Sequence, residues 1–320
     1  MQRESQPWEV SIRPTILVTK PLAKSSMAEL ERLFDVRSIV NAADPDAVLA
    51  EGAETIRAIA GDKVSAAMME KLPKLEIIAN EGVGVDTTDV AIAKARGIAV
   101  TNTPDVLNVA VAELAVGLML ALARTLPAAD RFVREGKWND GMFPLRSQLH
   151  GKTAGILGLG RIGKEIARRL ESFGVTVVYF GRSEQIDQPY RYFADLVEMA
   201  QASDWLVVIA PGGAATDGIV SNAVIEALGP TGRLVNVARG SLVDQAALIA
   251  ALRSGRLGGA ALDVFEKEPA VPAELLALDN VVVSPHMGSR TEEAREAMGR
   301  LVLENLVAHF KGDPLPSRVA

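Results

Sequence analysis

The segment Gly158-Leu159-Gly160-Arg161-Ile162-Gly163 sets three glycines at the spacing of a phosphate-cradling turn. Farther along, Arg239, Asp263, Glu268 and His286 each come just after a short apolar run. The glycine set suits a pyrophosphate. Free backbone N–H groups at a helix N-terminus carry positive partial charge and favour an anion. The first Gly permits the tight turn, the second lets phosphate approach the backbone, and the third lets helix and strand pack closely. The ionisable set brings a guanidinium, two carboxylates and an imidazole to positions beyond strand ends, where ligands sit in open parallel sheets. Taken singly, each has a plain reading: Arg239-Gly240 as a surface turn, Glu268-Pro269 as a loop carboxylate, His286 as a partly buried histidine. Their joint placement favours chemistry. His150 and His309 are weaker candidates, one at a domain junction and one on a polar helix position.

The elements that must hold these residues are legible in the apolar patterning. Thr153 to Leu157 reads as a buried strand, Ile162 to Phe173 as a helix with Ile162, Ile166, Leu170 and Phe173 on one face, and Val175 to Phe180 as the next strand. Strand, glycine turn, helix and strand make a βαβ unit, which favours a dinucleotide over a structural turn. A methyltransferase-type nucleotide site is the remaining alternative. Strands are expected downstream at 206–210, 233–237, 259–262 and 280–283, with helices between them, including Asp244 to Arg253. Upstream, strands are expected at 15–19, 36–40, 56–60, 75–80 and 98–100, with a helix over 26–34. The last segment, Thr291 to Phe310, reads as a long helix. The glycine turn starts almost halfway along the chain, so the nucleotide domain follows, or is inserted into, a second parallel α/β domain. The capping turn Thr101-Asn102-Thr103-Pro104-Asp105 is the expected crossing between them.

Composition narrows the classes. The chain has 320 residues, 48% of them hydrophobic and 23% charged, as expected of two globular domains with ample cores. A net charge of −6 without a basic stripe argues against nucleic acid as a partner. With no cysteine there are no disulfides, thiolate metal sites or cysteine nucleophiles, and no metal site is expected. That usage fits a reducing, cytoplasmic setting. The start, Met1 to Val10, lacks an apolar signal core. The most apolar stretch, Val109 to Ala123, contains Glu113 and is too short to span a bilayer, so it reads as a buried or interface helix and no membrane partner is expected.

Four ordered blocks together resemble the D-2-hydroxyacid dehydrogenase family over nearly the whole chain. They are Gly158 to Gly163, Val235-Asn236-Val237-Ala238-Arg239-Gly240, Leu262 to Pro269, and Ser284-Pro285-His286-Met287-Gly288-Ser289. Gly82-Val83-Gly84-Val85-Asp86 and Asn102-Thr103-Pro104 also match. Within the family the chain is most similar to glyoxylate/hydroxypyruvate and hydroxyphenylpyruvate reductases. The resemblance implies an α/β protein of two doubly wound parallel-sheet domains. A Rossmann-type cofactor domain, 103–286, would be inserted in a flavodoxin-like substrate domain, 1–102 plus 287–320, with the cofactor domain carrying a homodimer contact. It implies Arg239, Glu268 and His286 as the catalytic set. His286 would donate a proton, Glu268 would orient it and favour the imidazolium, and Arg239 would bind the substrate carboxylate with its forked donors. Backbone N–H groups of Val83 and Gly84 would take the other carboxylate oxygen. Gly158, Gly160, Arg161, Ile162 and Gly163, with Pro211, Thr216, Asp263 and His286, would line the cofactor, Asp263 on its nicotinamide carboxamide side.

Two departures stand out. Glu81 precedes the substrate loop where a neutral residue is expected; it could repel acidic substrates or face solvent. The loop Pro211 to Thr216 is unusually rich in glycine. The second strand of the cofactor domain ends Tyr179-Phe180-Gly181-Arg182-Ser183, without the acid that binds ribose hydroxyls in an NAD site. Arg182 and Ser183 suit a 2′-phosphate, so NADP(H) is expected, with NAD(H) through Glu184 as the alternative. The expected reaction is reduction of a small 2-oxo acid, glyoxylate or hydroxypyruvate. The alternatives are an aryl-pyruvate reductase and a nucleotide-sensing corepressor. Formate dehydrogenase is disfavoured by the short N-terminal region. Trp138, Phe143 and Arg290 would shape the pocket or lie on surfaces.

Overall fold

The computed structural model describes residues 13–320. It divides into two units, Met1–Leu107 with Thr291–Ala320, and Asn108–Arg290. The expected crossings at 102/103 and 286/287 lie a few residues earlier. The capping turn stays with the first unit because the Thr103 N–H donates to the Gly82 carbonyl and Ser317 Oγ to the Asn102 carbonyl.

In the first unit the strands are β1 (Thr15–Val18), β2 (Asp35–Ser38), β3 (Ile56–Gly61), β4 (Ile77–Asn80) and β5 (Ala99–Thr101), in the order β2-β1-β3-β4-β5. All pairings are parallel. The inner strands β1 and β4 are buried at every position, as parallel strands covered by helices on both faces must be. β2 falls one or two residues before its expected range. It is a half-exposed edge strand, so burial gives little signal for its bounds. The terminal helix Glu292–Lys311 belongs to this unit because Val302, Leu303 and Leu306 complete the core around Ile16, Val18 and Ile77. It begins where Thr291 caps the Ala294 N–H and ends at Gly312, whose φ of 77° suits a residue without Cβ.

The second unit has β6 (Thr153–Leu157), β7 (Thr176–Phe180), β8 (Arg191–Phe193), β9 (Trp205–Val208), β10 (Arg233–Asn236), β11 (Gly259–Leu262) and β12 (Val281–Val283). Their order is β12-β11-β10-β9-β6-β7-β8, again all parallel. This is the doubly wound order, reversing direction between β6 and β9, where such sheets bind ligands. The sequence carries no signal for β8, a three-residue edge strand with one buried side chain. The helix after the glycine turn, Arg161–Ser172, buries Gly163, Ile166, Ala167 and Leu170. Its inner face is rotated from the expected one, and Phe173 is left exposed because the chain turns away at Gly174, φ 68°. The apolar stretch forms the helix Asn108–Arg124, largely buried in this unit. Among the described residues no single helix is long and apolar enough to cross a membrane.

Candidate active site

The glycine turn shows three separate geometries. Gly158 has φ 102°, and a Cβ there would lie 2.8 Å from the Ala210 backbone. A Cβ on Gly163 would overlap the Gly158 carbonyl oxygen, so the helix can sit on the turn only with glycine there. Gly160 has open space where its Cβ would be. Tight turn, close packing and an open approach to the backbone at a helix N-terminus are what a pyrophosphate requires. The residues present therefore fit a dinucleotide. Arg182 and Ser183 lie exposed just past β7, with no acid before them at the strand end. Gln185 ties this stretch to the glycine turn. Its backbone N–H donates to the Tyr179 hydroxyl at 2.6 Å, and its Nε2 donates to the Leu159 carbonyl at 2.8 Å. Past β9, Thr216 Oγ donates to the Pro211 carbonyl at 2.7 Å and closes the glycine-rich loop on itself.

The ionisable residues follow three neighbouring strands, β10, β11 and β12. After β10, Asn236 Nδ2 donates to the Arg239 carbonyl at 2.8 Å and Asn236 Oδ1 accepts the Ala238 N–H at 3.0 Å, which locks the turn presenting the guanidinium. Arg239 Nη1 donates to the Ala238 carbonyl at 2.7 Å. Gly240 lies directly on the Phe265–Glu266 peptide; a Cβ there would overlap its backbone atoms. That close approach sets the Arg239 turn against the segment carrying Glu268. Glu268 Oε1 accepts the Phe265 N–H at 3.1 Å, and Oε2 is 2.7 Å from His286 Nδ1. Burial raises the Glu268 carboxyl. The hydrogen bonds from His286 and Phe265 and the charges of His286 and Arg239 outweigh burial and hold it below the ordinary carboxylate range. With Nδ1 turned to Glu268, Nε2 is the imidazole nitrogen left to meet a reactant.

His286 has φ 48°, a left-handed conformation uncommon for a side chain with Cβ. Asp263 holds it there. The Asp263 carbonyl accepts the His286 N–H at 2.8 Å. Its carboxylate accepts Ser284 Oγ at 2.6 Å, the Met287 N–H at 2.8 Å and the Gly288 N–H at 2.9 Å. Asp263 is 1% exposed, so both oxygens are already engaged with the histidine segment.

In the first unit, the loop after β4 is built by the side chains of two asparagines, Asn80 and Asn102. Asn80 Nδ2 donates to the Gly82 and Gly84 carbonyls at 3.1 and 3.0 Å, and Asn102 Nδ2 to the Val83 carbonyl at 2.9 Å. The N–H groups of Val83 and Gly84 find no backbone acceptor among the described residues. Backbone N–H groups left in this way can receive an anion. A signal for Asn80 does exist in the sequence: a polar side chain ending an apolar strand. Glu81 does not face solvent; it is 1% exposed and pairs with Arg295. Its cationic neighbours, Arg295 and Lys20, come from distant parts of the chain, and no local pattern points to them.

Residues 116–288 match the model of the D-isomer specific 2-hydroxyacid dehydrogenase NAD-binding domain. The chain is 46% identical over 303 residues to glyoxylate/hydroxypyruvate reductase A of Arabidopsis thaliana, covering 94% of this chain and 97% of that one. It is 45% identical over 304 residues to hydroxyphenylpyruvate reductase of Plectranthus scutellarioides, covering 94% and 97%. The chain belongs to the D-isomer specific 2-hydroxyacid dehydrogenase family. Among solved structures it resembles the NADPH-dependent glyoxylate/hydroxypyruvate reductase of Sinorhizobium meliloti, bound to NADP and malonate. The TM-score is 0.92, with 46% identity, 96% of this chain covered and 97% of that one. As a D-2-hydroxyacid dehydrogenase the protein is an NAD(P)-dependent oxidoreductase, with the two-domain α/β fold of its relatives.

Proposed function

We propose that this dehydrogenase reduces small 2-oxo acids, glyoxylate and hydroxypyruvate, to the D-2-hydroxy acids with NADPH. The observation that carries the reading is the 2.7 Å His286–Glu268 pair, set beside Arg239 on the sheet edge that bears the glycine turn. When bound, the reduced nicotinamide supplies a hydride to C2 of the substrate. Arg239 binds the substrate carboxylate and polarises the C2 carbonyl. As negative charge grows on that oxygen, His286 delivers the proton from Nε2, and Glu268 stabilises the imidazolium beforehand. Asp263 fixes the segment carrying His286 on the nicotinamide side, and the Val83 and Gly84 N–H groups are further carboxylate donors. The glycine turn, with the Arg161 and Ile162 backbone, binds the pyrophosphate, and Pro211 and Thr216 border the cofactor.

NADPH preference is supported by Arg182 and Ser183 in place of an acid after β7 and by NADP in the Sinorhizobium meliloti relative. A homodimer through the second unit is supported by exposed Val133, Trp138, Met142 and Leu145, at 54%, 62%, 84% and 97%. Light scattering at micromolar concentration tests it. The aryl-pyruvate alternative draws on the hydroxyphenylpyruvate reductase relative. One steady-state panel decides the function: glyoxylate, hydroxypyruvate, pyruvate and hydroxyphenylpyruvate, each with NADPH and NADH. Turnover of aryl-pyruvates alone selects the alternative, and no turnover at all favours a non-catalytic nucleotide sensor.

A further inference from the structure

Glu81 joins β4 to the loop Gly82 to Gly84, and its side chain is fully buried. Arg295 Nη1, from the terminal helix, lies 2.9 Å from Oε2, and Lys20 Nζ, just past β1, lies 3.9 Å from the same oxygen. Lys20 also donates to Asp62, just past β3, at 2.9 Å and to the Glu81 carbonyl at 3.4 Å. Arg295 Nη2 donates to the Pro21 carbonyl at 2.5 Å. Neither carboxylate oxygen of Glu81 has a well-directed hydrogen-bond donor among the described residues, so Arg295 and Lys20 hold it as ion pairs. A buried carboxylate, two cations and a second carboxylate thus meet at the carboxyl edge of the sheet, at the root of the anion-binding loop. The cluster is neutral when Glu81 is ionised and carries one positive charge when it is not.

Resting on the reading of this loop as a substrate-carboxylate site, we propose that Glu81 is a positioning residue that sets the loop's affinity for anionic 2-oxo acids by cancelling the charge of Arg295 and Lys20. The geometry gives it reach. Successive Cα atoms are about 3.8 Å apart, so the loop amides lie within roughly 11 Å of Glu81. A unit charge at that range, in a partly solvated site, changes monoanion binding by roughly threefold to tenfold. The charge is also titratable: burial raises the Glu81 carboxyl, Arg295 and Lys20 oppose that rise and Asp62 adds to it, leaving the group at about 7. Affinity for the substrate should therefore fall as pH rises through neutrality.

The test is the KM for glyoxylate between pH 6 and 8.5 with saturating NADPH, in the whole protein and in two variants. In the unaltered protein KM should rise by roughly threefold to tenfold across this range. In Glu81→Gln it should stay at the low value throughout, with kcat and the KM for NADPH unchanged. In Arg295→Gln it should be higher than in the unaltered protein, the opposite direction. An ion pair that served only structure would weaken binding in both variants alike. A rise of KM in Glu81→Gln overturns the proposal, as does a pH-independent KM in the unaltered protein, a result that needs no variant to fold. Failure of the unaltered protein to reduce any 2-oxo acid instead overturns the functional reading on which this one rests.

Discussion

Replacing Glu81 by glutamine should change how stability depends on pH, whatever the enzyme's substrate. In the folded protein the carboxyl is raised from 4.5 to about 7, first by burial. For an acid with a raised folded value, the folded state binds the proton more tightly than the unfolded chain. The resulting penalty is absent below the unfolded value and fully present above the folded one. The gap between 4.5 and about 7 corresponds to about 3 kcal/mol when fully expressed. Integrated between pH 5 and 8, about 2.5 kcal/mol of it should appear. Because the side chain is fully buried, solvent screening removes little of this. The amide introduced by Glu81→Gln cannot ionise, and leaving Arg295 without its anion adds an offset that does not vary with pH in this range. The observable is therefore the slope. The stability difference, Glu81→Gln minus the unaltered protein, should grow in the variant's favour by about 2.5 kcal/mol from pH 5 to pH 8. In melting temperature this is roughly 4 °C for 320 residues unfolding together. Paired thermal scans in buffers of equal ionic strength measure it. Parallel curves for the two proteins would refute the buried, titrating carboxylate, and a difference growing toward acid would refute its sign.

Other changes probe the second unit. His286→Ala should lower kcat by roughly 10²–10⁴-fold with NADPH binding intact, checked by stopped-flow turnover and cofactor titration. Glu268 is held below the ordinary carboxylate range, so its charge support should persist into mild acid and disappear only as pH falls through that lower value; Glu268→Gln should reduce kcat/KM at neutral pH, and its deficit should vanish at the acid end of the profile. Arg182→Ala should weaken NADPH by roughly tenfold to a hundredfold while leaving NADH nearly unchanged, and equal losses would remove it from the 2′-phosphate. Gly240→Ala drives a methyl into the Phe265–Glu266 peptide, separating the Arg239 turn from the Glu268 segment. A displacement of about 1 Å should lower kcat roughly 10²-fold, and normal turnover would contradict that close approach.

What the sequence determined was the local part. Thr153 to Leu157 has one reading as a buried strand, and the glycine spacing after it specifies a turn: the structure shows steric demands at Gly158 and Gly163, and an open approach to the backbone at Gly160. The regular alternation of apolar runs and amphipathic stretches is enough for two parallel sheets, since buried parallel strands need little beyond continuous apolarity. Arg239, Asp263, Glu268 and His286 could be placed on one sheet edge because each follows a strand, and the edge is a consequence of parallel direction. What only tertiary structure decided is every partnership between segments distant in the chain. Family likeness implies a cofactor contact for Asp263; that its carboxylate also accepts from Ser284, Met287 and Gly288, some two dozen residues on, only the fold shows. The turn at Thr101 to Asp105 stays with the first unit because of hydrogen bonds to Gly82 and Ser317, which no local pattern announces. Glu81 could be noticed in the sequence but not understood there. A carboxylate looks solvated until the fold removes water from it, and the cations that make its burial tolerable, Lys20 and Arg295, stand 61 and 214 positions away. Periodicity encodes which face of an element is buried; the electrostatics of a buried charge depend on which other elements the fold packs around it.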